Sequence, residues 1–247
     1  MIHKNIGVKE PPVKAGLSPI FIEDMKNSVR IRRMLERSVA KAVQERRRIV
    51  IELSGTRGLG KTAGLQAFKE RLEKGLVKIP GLERVQRIFM VVVEFEGDVA
   101  TLLGEVFLEL KGRVGETLGG LLALKGSLRE VIFNLNQLLY HLIFEAEALD
   151  GVVVVIDELD RVPRSMEGRV ASDLRILLSR LGRVVVEGEE TDLPLVLVFS
   201  ASPEKFESLY RRDESILSHI HEALVLQCLD EEETICLLYT SDAADEG

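Results

Sequence analysis

The residues from Gly55 to Thr62, Gly-Thr-Arg-Gly-Leu-Gly-Lys-Thr, satisfy the spacing G-x-x-x-x-G-K-[ST] at every fixed position. That spacing suits one task, wrapping a phosphate. Backbone N–H groups must converge on the ligand, and glycine lets the chain come close and take positive φ. A helix starting where the loop ends adds the positive end of its dipole. Lys61 would reach the β- and γ-phosphates of a nucleotide, and Thr62 would ligate Mg²⁺. Gly55, Thr56, Arg57, Gly58, Leu59, Gly60, Lys61, Thr62 and Ala63 therefore form the expected binding stretch for ATP. The alternative is an ordinary glycine-rich strand–helix turn. The β-rich run Ile49–Leu53 before the motif and the helical spacing of Leu65, Phe68, Leu72 and Leu76 after it fit the phosphate loop.

A second constellation is Val152-Val-Val-Val-Ile156 followed by Asp157 and Glu158. An apolar run ending in adjacent acids delivers carboxylates to the C-terminal edge of a sheet, where ligands bind in open α/β folds. Asp157 is expected to complete a Mg²⁺ shell and Glu158 to polarise an attacking water. Alone, such acids could equally be a solvated strand end; the upstream phosphate loop supplies the partner. Asp160 reads as a helix N-terminal charge rather than a catalyst.

These groups must be positioned by a sheet. Further apolar runs occur at Arg87–Phe95, Leu195–Phe199 and, more weakly, Leu224–Leu229. The runs are continuous rather than alternating, which suits parallel strands covered on both faces. Helical spacing appears at 22–48, 99–111 and 128–148, with the glycine-rich GETLGGLLALKG between the last two. About 55 residues separate the second and third strands, far more than the dozen or so of a minimal crossover, so extra helices are inserted there.

The chain has 247 residues, 46% of them hydrophobic and 30% charged, which allows one large domain with a substantial core. There is no apolar stretch long enough to span a bilayer and no apolar signal region in MIHKNIGVKEPP, so the expected compartment is the cytoplasm. Cys228 and Cys236 form no metal or disulfide pattern. His219 and His221 have no acid or cysteine at ligand spacing. The net charge of −7 argues weakly against general nucleic-acid coating. Residues 24–48 nevertheless carry nine Lys or Arg against three acids, which would suit either phosphates or a solvated helix face. Residues 1–20 read as an extended arm. The string Cys236–Gly247 resembles a translated sequencing adapter and is expected to be a non-native tail, with the natural chain continuing past Ile235.

With the phosphate loop, the Asp-Glu strand end and the polar end of Leu195–Phe199 in this order, the chain resembles the AAA+ branch of P-loop ATPases over about residues 20–230. The resemblance implies an α/β, three-layer P-loop NTPase fold, with a five-stranded mostly parallel sheet in order 5-1-4-3-2 flanked by helices. It implies a core at 21–235 whose C-terminal lid domain is missing. It also implies a polar sensor at the end of the fourth strand, Ser200 with Ser202 in reserve, although the family more often has Asn or Thr there. Ser200 is equally suited to capping the helix after Pro203. Arg211 and Arg212 occupy the stretch where such proteins carry an arginine finger acting across a subunit interface.

Within the branch, IDELD and the helical insertion resemble both origin-recognition and helicase-loader ATPases and signalling ATPases of the STAND type. The first implies Mg²⁺-dependent ATP hydrolysis coupled to assembly or remodelling of a protein partner or copy of itself, with DNA as a further partner class and Glu158, Lys61 and Ser200 in catalytic roles. The second implies a slow nucleotide switch. A non-hydrolysing scaffold is the third reading. None involves a membrane.

Overall fold

The structure, a computed structural model, describes residues 26–77, 87–114 and 126–227. Helix α1 is Lys26–Gln44, strand β1 Ile49–Ser54, helix α2 Lys61–Glu73, strand β2 Ile88–Glu94 and helix α3 Val99–Val114. Helix α4, Leu128–Tyr140, runs into a π-helical turn at His141–Glu145 and strand β3, Gly151–Asp157. Helix α5 (Glu167–Arg180), the short strands β4 (Arg183–Val186) and β5 (Glu189–Asp192), strand β6 (Leu195–Ala201), helix α6 (Pro203–Arg212) and strand β7 (Glu222–Val225) follow. The arm at 1–20, the tail at 236–247, Cys228 and the glycine-rich segment at 115–125 lie outside the described residues.

Five strands form a parallel sheet in the order β2-β3-β6-β1-β7. With the separate β4–β5 pair left out of the count, this is the expected order 5-1-4-3-2. Strands β3 and β6 are buried along their whole length, as two-sided strands at the centre of a covered sheet must be. Successive side chains point to opposite faces and build two cores. Beneath α1 and α2, Ile49, Ile51, Val153, Val155, Val196 and Val198 meet Ile31, Leu35, Leu65 and Phe68. On the other face, Val50, Val91, Val154 and Leu197 meet side chains of α3, α4, α5 and α6, among them Leu103, Leu135, Leu174 and Phe206. Each buried side chain of this kind contributes about 1.5–3 kcal/mol.

Two departures from the sequence reading have local causes. Among the described residues the last strand runs from Glu222 to Val225, starting before the expected 224–229, because edge strand β7 alternates half-buried and exposed side chains and is not a continuous apolar run; residues 228–229 lie outside the described residues. The antiparallel hairpin β4–β5 was not anticipated. Its two-residue turn has Glu187 at φ 53° and Gly188 at φ 89°, the paired left-handed conformations of a tight hairpin. Asn136 of α4 fixes its base, donating to the carbonyls of Arg180 (2.9 Å) and Arg183 (2.8 Å) and accepting from Gly182 N–H (2.8 Å).

The basic run before β1 is used inside the molecule. Arg48 is 2% exposed and donates to the carbonyls of Leu178 and Leu181 at the C-terminal end of α5. Burial and the neighbouring Arg183 pull its pKa down to about 10. Arg46 lies over the Phe144 ring at 5.7 Å, and Arg47 pairs with Glu45.

Candidate functional site

The phosphate loop joins β1 to α2 at the C-terminal edge of the sheet. Gly58 and Gly60 have φ of 91° and 80°, a region side chains rarely adopt, and a Cβ at either would meet nothing within 4 Å. Glycine is needed there for backbone conformation rather than for space. Helix α2 begins at Lys61 with no acid in its first turn, so its positive end is uncompensated. The Lys61 ammonium donates back to the carbonyls of Gly55 and Thr56, the latter at 3.2 Å.

Thr62 Oγ1 donates to Asp157 Oδ2 at 2.6 Å, joining α2 to the end of β3. Asp157 is 1% exposed, and its other oxygen accepts from the Glu158 N–H at 2.8 Å. A hydroxyl and a carboxylate facing one another here are the oxygen donors a hard divalent cation takes. No cluster of three or more His, Cys, Asp or Glu poised to hold a metal occurs among the described residues. A Mg²⁺ ion here would rest on Thr62, Asp157 and ligand oxygens, as Mg²⁺ with a nucleotide does.

Glu158 sits in left-handed conformation, φ 58°, directly after the strand. Its carboxylate is ion-paired with Arg161 Nε, and Arg161 Nη1 lies 2.9 Å from Glu94 Oε2 at the end of β2. Arg161 and Glu94 were missed in the sequence. The spacing of three from Glu158 to Arg161 was the available signal. Asp160 lies in a short 3₁₀ turn, and its carboxylate accepts from both the N–H (3.0 Å) and the hydroxyl (2.5 Å) of Ser202.

The two serines lie in different settings. Ser202 caps α6, accepting from Lys205 N–H at 3.3 Å, so the cap is not Ser200. Ser200 is fully buried, on the same face of β6 as Val196 and Val198, and its hydroxyl has no hydrogen-bond partner among the described residues. The register that pairs Phe199 with Ile156 brings Ser200 level with Asp157. Helix α6 is held against the start of α5 by a buried pair: Lys205 Nζ donates to Glu167 Oε1 at 2.6 Å and Ser208 to Oε2 at 2.7 Å. These bonds hold the Glu167 carboxyl below the usual carboxylate range. Arg211 pairs with Glu207 on the exposed side of α6, and Arg212 is also exposed. His221 Nδ1 accepts from Val50 N–H at 3.0 Å, placing the histidine pair at the opposite end of β1.

Between the loop and the strand ends lies a cavity of about 610 Å³. Arg57, Gly58, Gly60, Lys61, Thr62 and Ala63 line one side; Asp157, Glu158, Asp160, Arg161 and Ser202 line the other. Gly55, Thr56, Leu59 and Ser200 are not among the lining residues.

A parallel sheet between two helical layers, with this loop between its first strand and the following helix, is a P-loop NTPase core. Residues 30–206 match the AAA domain family. The chain belongs to that family and is an AAA+ P-loop ATPase core. No curated protein sequence matches it. Among solved structures it is similar to Cdc6p from Pyrobaculum aerophilum, at TM-score 0.56 and 15% identity over 90% of this chain and 51% of that one. It is similar to the Aeropyrum pernix ORC1 protein in complex with DNA, at TM-score 0.53 and 19% identity over 92% and 52%. A third is the Aeropyrum pernix ORC2 protein in ADPNP–ADP complexes, at TM-score 0.52 and 15% identity over 87% and 50%. At these identities the likeness is one of fold, and the chain spans about half the length of each structure.

Proposed function

We propose that this chain binds ATP with Mg²⁺ in the cavity between the phosphate loop and β3, and hydrolyses it to drive assembly or remodelling of a partner. The carrying observation is the 2.6 Å contact of Thr62 with Asp157 at the mouth of the loop. It joins the two motifs, 95 positions apart, that the chemistry requires to be adjacent. Gly55 to Ala63 would hold the phosphates, with Lys61 leaving the Gly55 and Thr56 carbonyls for the β- and γ-oxygens. Thr62 and Asp157 would hold Mg²⁺, which when bound neutralises developing phosphate charge. Glu158 would orient and deprotonate water, and Ser200, beside Asp157 with its hydroxyl unspent, would serve the γ-phosphate. We assign the core to 21–235 and the protein to the cytoplasm. Among the described residues no helix is long and apolar enough to cross a membrane. The partner classes are a second copy, another protein, or DNA. The complex of ORC1 with DNA supports the last for that relative.

The test is calorimetry beside turnover. Lys61→Ala is expected to lose ATP binding, whereas Glu158→Gln keeps binding and loses turnover. Equal turnover in wild type and Glu158→Gln would remove Glu158 from its role. A second reading, a slow nucleotide switch, is favoured by one observation: the Glu158 carboxylate is already engaged by Arg161.

A further inference from the structure

Asn27, in the first turn of α1, is 3% exposed. Its side-chain nitrogen uses both hydrogens, donating to the Leu59 carbonyl at 3.2 Å and to the Gln227 carbonyl at 3.1 Å. These acceptors lie in different places. Leu59 belongs to the phosphate loop, between the two left-handed glycines Gly58 and Gly60. Gln227 lies just past β7, where Leu226 N–H donates to the Ser54 carbonyl at 2.7 Å.

A trans peptide is planar, with its C=O and N–H pointing in opposite directions. Holding the Leu59 carbonyl toward α1 therefore turns the Gly60 N–H away from α1, toward the inside of the loop. Ending in Gly60 and preceded by Gly58, that peptide has little of its own to fix its orientation. The helix supplying the hold is firmly seated: a Cβ at Gly64 of α2 would lie 2.7 Å from Ile31 Cδ1 and 3.4 Å from Ser28 Cα. The second hydrogen of the same nitrogen is tied to the chain leaving β7. There Leu226 closes on the loop, 3.1 Å from where a Gly55 Cβ would stand.

We propose that Asn27 is a positioning residue that aims the Gly60 N–H at the bound phosphates and makes that aim depend on where the chain leaves β7. This rests on the nucleotide reading above. A shift of the Gln227 carbonyl would loosen Asn27 from Leu59 and thereby weaken the phosphate site, without any contact between Gln227 and ligand.

The test uses the full chain, with Asn27→Asp, which keeps the shape but cannot donate when ionised, and Asn27→Ala, which removes the donors without adding charge. Affinities for ATP and for tripolyphosphate are measured by calorimetry at a temperature where each variant is folded by circular dichroism. Both ligands are expected to bind about tenfold more weakly, the scale of one charge-assisted hydrogen bond lost. Amide hydrogen exchange is expected to speed up together at 57–60 and at 222–227. A merely structural Asn27 would lower the melting temperature but leave phosphate affinity within about twofold, and that result overturns the proposal. Faster exchange in only one of the two segments also overturns it. Wild-type protein that binds neither ligand overturns the nucleotide reading itself, which distinguishes the two failures.

Discussion

Glu158 is ion-paired with Arg161, three residues further along the chain, in a turn that starts from a left-handed backbone at Glu158 itself. The carboxylate proposed to activate water is thus held sideways along the rim of the cavity. Arg161 is half-exposed, and a solvent-facing pair of this kind is worth about 0.2–1 kcal/mol. Arg161→Ala is expected to raise ATP turnover by about two- to fivefold with nucleotide affinity little changed, because that pair holds the Glu158 carboxylate. Steady-state phosphate release beside calorimetry checks it. A fall in turnover would mean that Arg161 assists the reaction.

Asp160 and Ser202 join the exits of β3 and β6, neighbouring inner strands of the sheet. Asp160→Ala leaves the Ser202 N–H without its acceptor and is expected to cost about 1 kcal/mol, discounted for exposure. That is a fall in melting temperature of about 2–4 °C in a chain of this size. Asp160→Asn keeps an acceptor oxygen and should recover most of it, as thermal denaturation of the pair would show.

Asn136→Ala removes three hydrogen bonds, one of them buried and two part-buried, at the base of the β4–β5 hairpin. A loss of about 1–3 kcal/mol is expected, since Gly182 N–H and two carbonyls lose their partner. Urea unfolding reads the stability. Faster amide exchange confined to 182–193 would show that the hairpin loosens before the sheet.

Acidification should act through the histidine pair. Burial, then the positive charge of Arg48, lowers both His219 and His221 below the ordinary value of 6.5. The unfolded chain therefore binds these protons more readily than the folded one, and stability increases with pH across the window up to about 6.5 and is flat above it. His221 must also be unprotonated at Nδ1 to accept from Val50 N–H. Melting temperature is expected to fall between about pH 6.5 and 5, and the fall should be smaller in His221→Gln. A profile unchanged by that substitution would exclude His221 as a contributor.

Much of this site was legible because it depends on local order. A phosphate loop lies within eight consecutive residues, and Asp157 follows a strand whose burial on both faces shows as an unbroken apolar run. The sheet order came with the resemblance rather than from the runs themselves. What could not be read depends on contacts between distant segments. Arg161 is recognisable only once Glu94, on another strand, lies at its other side. Which serine caps α6 needed the position of Lys205 N–H, since either could precede Pro203 in a cap. Strands β4 and β5 are four residues each and largely exposed on one side, so their pattern is too short to distinguish from a loop.

The fate of the arginines in and after α1 bears on any polyanion this protein meets. Arg30 donates to the Val225 carbonyl, Arg37 pairs with Glu222, and Arg48 closes α5 from inside. Of the nine cations at 24–48, only Arg32, Arg33 and Lys41 lack a partner among the described residues. Each phosphate neutralised releases roughly 0.9 of a condensed counterion from duplex DNA. Binding through this helix would then show a log–log salt slope of only about −3, closer to a light touch on the duplex than to an electrostatic grip.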